Sequence, residues 1–386
     1  MLAFGFGFGA QIIIARRNGE RRYNRIGPTM IQGCYFMLAL AVVLFTASQY
    51  FSPIILRDII ESPQVYDATA DYLHWRTYGI FFSFLCVMFR AYYVGITQTK
   101  ILTINSVVML LSNVVLNYCL IFGKGGFPVM GIAGAAIASS VSEAVSLLFF
   151  IIYTGTTADK RKYGFRRAFT FRPHLLKGML SISGWTMVQS FISVSIWFIF
   201  FLAIEHLGER PLAVTNIVRN ISALLIMVIS AFATTAGALI SNQIGAGEQR
   251  YLFRTCGMTL NLTYAILVPL LVILCLFPEP VLRVFTDNPS LIAASINSVY
   301  VMSTSTLIMA PAFILFNAVS GTGNTKAGFI MEMISLTVYT AAVYYIVIRL
   351  KPDVALCWFS EHVYGIALIA LAWWYLKSGK WRGKKV

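Results

Sequence analysis

Three glutamates, Glu143, Glu332 and Glu361, lie inside long apolar stretches of this 386-residue chain. A carboxylate near the centre of a bilayer costs roughly 3 kcal/mol or more, so each one needs a partner, water or a functional role. A buried carboxylate can bind and release a proton or a metal cation. The packing alternative is a clamp between two helices or a side chain that reaches the membrane interface, and the sequence leaves both interpretations open.

Basic and amide side chains in the same stretches are the candidate partners of these acids. Arg76 and Arg219 could each neutralise a glutamate, whereas Arg90 lies near the end of its stretch, from which its side chain can reach the membrane surface. Asn113 and Asn117 are four residues apart and therefore share a helix face. Amides within lipid must face protein or a water-filled cavity, so this pair indicates either an interhelical hydrogen bond or a polar site that would suit Na⁺.

The composition indicates an integral membrane protein. Hydrophobic residues make up 58% of the chain and charged residues 12%, against about 25% charged residues in soluble domains, and the mean hydropathy is +0.75. The end of a truncated helix is predicted over residues 1–16, and ten apolar stretches long enough to span a bilayer follow it. These stretches cover residues 29–55, 71–95, 101–123, 131–154, 178–205, 211–243, 255–277, 291–320, 327–349 and 354–376.

The net charge of +15 is explained by where the basic residues fall relative to these stretches. One side carries 21 of the 30 basic residues and the other side six, while most acidic residues lie on the second side. Cytoplasmic loops carry an excess of Lys and Arg, so the first side is predicted to be cytoplasmic. This placement argues against nucleic acid as a partner and favours contact of the basic tail with lipid headgroups.

The chain contains an internal duplication. The segment Gly9–Tyr23 returns as Gly237–Tyr251, a shift of 228 residues, and weaker matches follow at shifts of 226 and 218. A long duplication in an apolar chain is typical of transporters built from repeats, with a site between the repeats. Measured against the second copy, about 50 residues have no counterpart before Met1, so we expect one helix and half of the next to be missing.

These observations predict an all-α membrane protein with two pseudo-symmetric six-helix bundles, of which the first is truncated. Residues 1–155 are assigned to the amino-terminal lobe and residues 178–376 to the carboxy-terminal lobe. The basic segment 156–177 is interpreted as a cytoplasmic linker, and residues 377–386 as a basic cytoplasmic tail.

No cofactor is expected, and no enzyme activity. The six cysteines are scattered singly and none of the four histidines pairs with another at helical spacing, so neither disulfides nor a metal site with these ligands is predicted. The glycines Gly5, Gly7 and Gly9 lack the preceding strand of a dinucleotide-binding loop and are interpreted as helix packing. The spans contain no His/Asp, Ser/Lys or Asp/Asp arrangement with catalytic spacing, which argues against an intramembrane enzyme.

Four short motifs, in order along the chain, resemble those of the MATE (multidrug and toxic compound extrusion) transporters. Asn113–Gly123 and Gly131–Ser139 resemble the family's N-x-x-L-D … I-F-G and G-x-x-G-A-A-x-A-T segments. Asn242–Gly247 resembles its Q-x-x-G-A-G signature, and Gly321–Thr325 its G-x-G-D-T turn. The resemblance covers the whole chain and begins inside the family's second helix.

The resemblance implies alternating access and export of cationic or amphipathic compounds, driven by entry of Na⁺ or H⁺. It places Asn113, Asn117 and Ser139 in a polar cluster of the amino-terminal lobe, with Asn117 where the family commonly has Asp. The acids that one branch of the family uses in its seventh and tenth helices fall near Ser193 and Met309, which carry no carboxylate.

Ion coupling is therefore expected to rest on Glu143, Glu332, Glu361 or the missing helix. Glu143 is the first choice because it shares a lobe with Asn113 and Asn117, and a Glu143→Gln variant is expected to lose ion-dependent efflux. Glu361 occupies the equivalent place in the second repeat, and its more interfacial setting predicts a smaller defect.

The remaining expectations concern partners and location. We expect a monomer in the bacterial inner membrane, with a small-molecule substrate and lipids as its partners. The alternative within transport is a lipid-linked saccharide flippase of the related superfamily. Such a flippase needs a cationic cavity, for which the chain offers only Arg76, Arg90 and Arg219 within its spans.

Overall fold

The computed structural model describes residues 1–165, 168–350 and 353–383. The described chain is helical from end to end, with short turns between the helices. The helices are α1 (Leu2–Gly19), α2 (Ile26–Ile59), α3 (Pro63–Gly95), α4 (Lys100–Phe122), α5 (Gly131–Thr157), α6 (Pro173–Glu205), α7 (Glu209–Gly245), α8 (Leu252–Leu276), α9 (Pro278–Arg283), α10 (Pro289–Gly321), α11 (Thr325–Val343), α12 (Val354–Cys357) and α13 (Phe359–Ser378).

The ten predicted membrane spans are confirmed. Within the described ranges, ten helical segments are long and apolar enough to cross a membrane, and each coincides with one predicted stretch. The largest difference in a boundary is at α3, which begins at Pro63 rather than near residue 71. Proline is well suited to the first turn of a helix, so the helix starts in a polar segment that hydropathy does not detect.

The chain forms two compact units, and the first comprises Arg21–Leu180 with helices α2 to α5. Its basic linker is fixed to α2 by Gln32, which is fully buried. Gln32 Nε2 donates to the carbonyl oxygen of Thr170 at 2.9 Å, and its Oε1 accepts from the backbone N–H of Arg172 at 2.9 Å. The predicted linker residues Arg166 and Arg167, together with Lys351, Lys384 and Lys385, lie outside the described residues.

The second unit comprises Met1–Glu20 and Ser181–Val386. Helix α1, which the sequence assigns to the amino-terminal lobe, packs in this unit against α6 and α7. A Cβ atom on Gly5 would lie 2.5 Å from the carbonyl oxygen of Thr186, and one on Gly9 would lie 2.3 Å from Ser183 Oγ. These glycines therefore serve close helix packing, as their sequence context predicts.

The topology leads to a direct labelling prediction. With the side carrying the linker in the cytoplasm, Lys124 after α4 faces the outside and Lys162 the inside. In a background without the native cysteines, an impermeant thiol reagent added to intact cells is expected to label Lys124→Cys and to spare Lys162→Cys. Permeabilised cells should label both variants, and the opposite pattern in intact cells would invert the topology.

Candidate functional site

The residues Ser193, Glu332, Tyr339, Glu361 and Tyr364 form a group that we call the carboxylate cluster. Its members come from α6, α11 and α13, which pack within the second compact unit. Two carboxylates and three hydroxyls thus meet, although Ser193 and Glu332 alone are 139 residues apart along the chain. Oxygen atoms of this kind bind protons and hard cations.

Glu332 is the most buried member of the carboxylate cluster, with 3% of its surface exposed. Its Oε1 atom accepts two hydrogen bonds, from Ser193 Oγ at 2.8 Å and from the Tyr364 hydroxyl at 2.9 Å. Its Oε2 atom is buried and has no hydrogen-bond partner. A buried carboxylate oxygen without a partner is costly, so this atom is the natural place for a proton or a cation.

Glu361 is the second acid of the carboxylate cluster and is half-buried. Its Oε1 atom accepts a hydrogen bond from the Tyr339 hydroxyl at 3.1 Å. The Tyr339 ring packs edge-on against the Tyr364 ring, with centroids 5.8 Å apart. The two tyrosines therefore connect the two carboxylates by one continuous series of contacts.

Neither acid of the carboxylate cluster forms an ion pair in the part of the chain that the structure describes. Ser335, one turn after Glu332 on α11, is fully buried and its hydroxyl also has no partner. No group of three His, Cys, Asp or Glu side chains that could hold a metal ion occurs among the described residues. The oxygen atoms present would instead suit a proton, or a monovalent cation held by carboxylate and hydroxyl ligands.

Glu143, by contrast, has a cationic partner. Arg76 on α3 forms a bidentate ion pair with it, at 2.7 Å from Nη2 to Oε1 and 3.0 Å from Nη1 to Oε2. The pair passes over Gly79, where a Cβ atom would lie only 2.2 Å from Arg76 Nη1. Because the pair already neutralises this carboxylate, the geometry favours a packing role for Glu143.

The amides predicted to form a polar cluster in the amino-terminal half do meet. Asn117 Nδ2 donates to Asn113 Oδ1 at 2.9 Å, and Asn113 Nδ2 donates to Ser142 Oγ at 3.3 Å. The Ser142 hydroxyl in turn donates to the backbone carbonyl of Ser139 at 2.8 Å. Ser139 therefore takes part through its backbone, and the network joins α4 to α5 as interhelical hydrogen bonds do.

The candidate Arg219, and Met309 at a position where one branch of the family has an acid, lie apart from both clusters. Arg219 lies over the ring of Phe201, with its guanidinium carbon 5.0 Å from the ring centroid, and forms no ion pair with a described residue. Met309 is buried in the apolar core of its unit. The expectation that Arg219 neutralises a glutamate therefore has no support in the described contacts.

The tyrosines of the carboxylate cluster are functional candidates that the sequence reading did not single out. Asn105 was also missed, although it lies two turns before Asn113 on the same helix face. It is buried and exchanges two hydrogen bonds with Ser146, at 2.8 and 3.2 Å. Its spacing from Asn113 is the feature of the sequence from which Asn105 could have been identified.

Comparison with known proteins identifies the family to which the chain belongs. The family model of the MatE transporters matches residues 1–119 and 186–346. The chain belongs to this family, which consists of membrane transporters.

Individual relatives agree with this assignment. A probable multidrug resistance protein NorM from Thermotoga maritima is 24% identical over 391 residues, covering 98% of this chain and 81% of the relative. A protein of the same name from Aromatoleum aromaticum is 26% identical, and the match covers 74% of this chain and 62% of the relative. This second match therefore spans less than two thirds of that relative's length.

Solved structures show the same fold. A transporter of the MOP superfamily from Pyrococcus furiosus superposes with a TM-score of 0.90 at 19% identity, covering 99% of this chain and 85% of that one. A multidrug resistance MATE family transporter, solved in an outward-facing conformation, gives a TM-score of 0.90 at 18% identity, covering 98% of this chain and 85% of that one. The predicted all-α membrane architecture is thereby confirmed.

Proposed function

We propose that this protein is a secondary active transporter that exports cationic or amphipathic small molecules by alternating access. Entry of H⁺ or Na⁺ supplies the driving force. Relatives named as multidrug resistance proteins support this class of substrate. Bacterial relatives likewise support a place in the inner membrane, where the protein would act as a monomer among lipids and without a cofactor.

The observation that carries the proposal is the unpartnered Oε2 atom of Glu332. A coupling site must change its charge or its occupancy between states, because an ion drives a conformational change only through different affinities for the two states. Glu332 and Glu361 can do so, since no basic side chain neutralises them among the described residues. Of the acids expected from the sequence, we therefore place Glu332 first, Glu361 second and Glu143 third.

The alternative of a lipid-linked saccharide flippase has less support. An anionic headgroup needs free basic side chains, but Arg76 is paired with Glu143 and Arg219 lies on an aromatic ring. Only Arg90 remains as an exposed basic residue among the three arginines within the spans. The carboxylate cluster instead favours positively charged ligands.

Reconstitution into liposomes tests the proposal. The release of a fluorescent organic cation such as ethidium is measured under an imposed Na⁺ gradient and, separately, under an imposed pH gradient. We expect one gradient to accelerate release and the matching ionophore to remove that acceleration. A lack of response to both gradients would contradict coupled export, and translocation of a lipid-linked saccharide without cation release would favour the flippase.

A further inference from the structure

A polar cavity of about 270 Å³ lies between the outer halves of α2 and α3, within the first compact unit. It is separate from the carboxylate cluster, which belongs to the second unit. Its lining contains one carboxylate and no lysine or arginine. Its polar lining residues are Ser48, Gln49, Ser52, Asp71, His74 and Thr77.

Four of these polar residues hydrogen-bond to one another. Gln49 Nε2 on α2 donates to Thr77 Oγ1 on α3 at 3.2 Å, which ties the helices together. The hydroxyls of Ser48 and Ser52 lie 3.1 Å apart on one face of α2. Asp71 is different, because its exposed carboxylate has no hydrogen bond or ion pair with any described residue.

The rest of the lining would suit an apolar or aromatic group. Leu56 and Leu73 are half-buried and lie on opposite walls. The ring of His74 is fixed edge-on between Trp75 and Tyr78, at centroid distances of 5.3 and 5.7 Å. A carboxylate beside leucines and a fixed aromatic ring is complementary to a cation that carries an apolar body.

We propose that this cavity binds protonated amines, with the ammonium group donating to Asp71 and the apolar part lying against Leu56, Leu73 and His74. That such amines are also exported by the protein rests on the proposed function. The cavity is at the end of α2 and α3 that the basic residues predict to be non-cytoplasmic, so it would be a subsite on the outer side. The shared chemistry also includes the ethanolamine headgroup of a membrane lipid.

Binding of phenethylammonium to the purified full chain in detergent tests the assignment. Asp71→Asn removes the charge that the ammonium needs, and we expect the Kd to rise about tenfold or more because a charge-assisted hydrogen bond is lost. Asp67→Asn, one turn earlier on the same helix and outside the cavity, removes the same charge and should leave the Kd within about twofold. Ala70→Phe, which fills the cavity without a change in charge, should weaken binding as Asp71→Asn does.

Two further arms identify the ligand. The trimethylated analogue has the same charge but no N–H, so it should bind more weakly than phenethylammonium. In nanodiscs, competition by phosphatidylethanolamine but not by phosphatidylcholine would assign the cavity to the lipid headgroup, and equal binding in both would assign it to small amines. Equal Kd values for wild type and Asp71→Asn, or equal weakening by Asp71→Asn and Asp67→Asn, would overturn the assignment.

Failure of this inference can be distinguished from failure of the proposed function. Gradient-driven ethidium release with no effect of Asp71→Asn on amine binding would remove the cavity site alone. If Asp71→Asn specifically loses amine binding but the protein shows no gradient-driven release, the cavity is an amine site and its role in export is contradicted.

Discussion

Replacing Glu332 by glutamine is expected to reduce efflux to the rate measured without an ion gradient. The side-chain shape is preserved, and the amide oxygen can still accept the hydrogen bonds from Ser193 and Tyr364. The amide nitrogen, however, takes the place of Oε2 and can bind neither a proton nor a cation. Coupling is therefore lost, while the protein should still fold.

The measurement is the initial rate of ethidium release from proteoliposomes, with unfolding temperatures recorded in parallel. Glu205→Gln is the matched control, because this substitution removes the same charge at an exposed position at the end of α6. The release rate of this variant should stay at the wild-type value. Glu361→Gln should give a partial defect, since Glu361 is less buried. Wild-type coupling in Glu332→Gln would exclude this residue and direct attention to Glu361.

The second large effect concerns stability. Arg76→Met leaves the Glu143 carboxylate in the protein without its partner, and breaking a buried pair costs about 3–5 kcal/mol. The Arg76 side chain is 33% exposed, so we expect a loss near the lower end of this range and an unfolding midpoint lowered by roughly 5–10 °C. The combined variant Arg76→Met with Glu143→Gln removes both charges and should recover most of this loss.

Thermal unfolding can be followed with a thiol-reactive dye in a background that retains Cys86 alone, because this buried thiol lies beside the pair and reacts only once the unit opens. Arg57→Met is the control, since it removes an exposed arginine from the same unit and should change stability by no more than about 0.5 kcal/mol. If the combined variant is no more stable than Arg76→Met, the two residues do not act as a pair.

The spans were predictable from the sequence because length and hydropathy decide whether a helix can cross a bilayer. The same signal placed the start of α3 about two turns late, since Pro63 opens the helix in a polar segment. The need of the buried acids for partners was also predictable. Arg76 was named as a possible partner, but the sequence could not choose its acid, because that depends on how α3 is rotated against α5.

The carboxylate cluster could not be predicted from the sequence for the same reason. Tyr339 and Tyr364 lie 22 and 32 residues from the acids that they contact. Only the packing of α11 against α13 turns their hydroxyls inward. Ser193 stands near a position where one branch of the family has an acid, and its hydroxyl donates a hydrogen bond to Glu332 on another helix. A carboxylate thus lies beside Ser193, although this position of the sequence carries none.

The contact between α1 and α7 joins the two copies of the duplicated segment almost in register. With the shift of 228 residues, Ser241 is equivalent to position 13, and its hydroxyl donates to the carbonyl of Ile12 at 2.8 Å. Gly245 is equivalent to position 17, and a Cβ atom there would lie 2.3 Å from the carbonyl oxygen of Arg16. Equivalent positions that meet in a parallel helix pair are the mark of a two-fold, self-complementary interface.

The helix pair therefore preserves, within one chain, the geometry of a homodimer. An ancestral half-length protein would have paired with itself through this helix face, with both subunits inserted in the same orientation. In this chain the two copies differ in sequence, and Gly245 faces Arg16 rather than another glycine. The two halves can differ in sequence, for example in the partners of their acids, only when both copies belong to one chain.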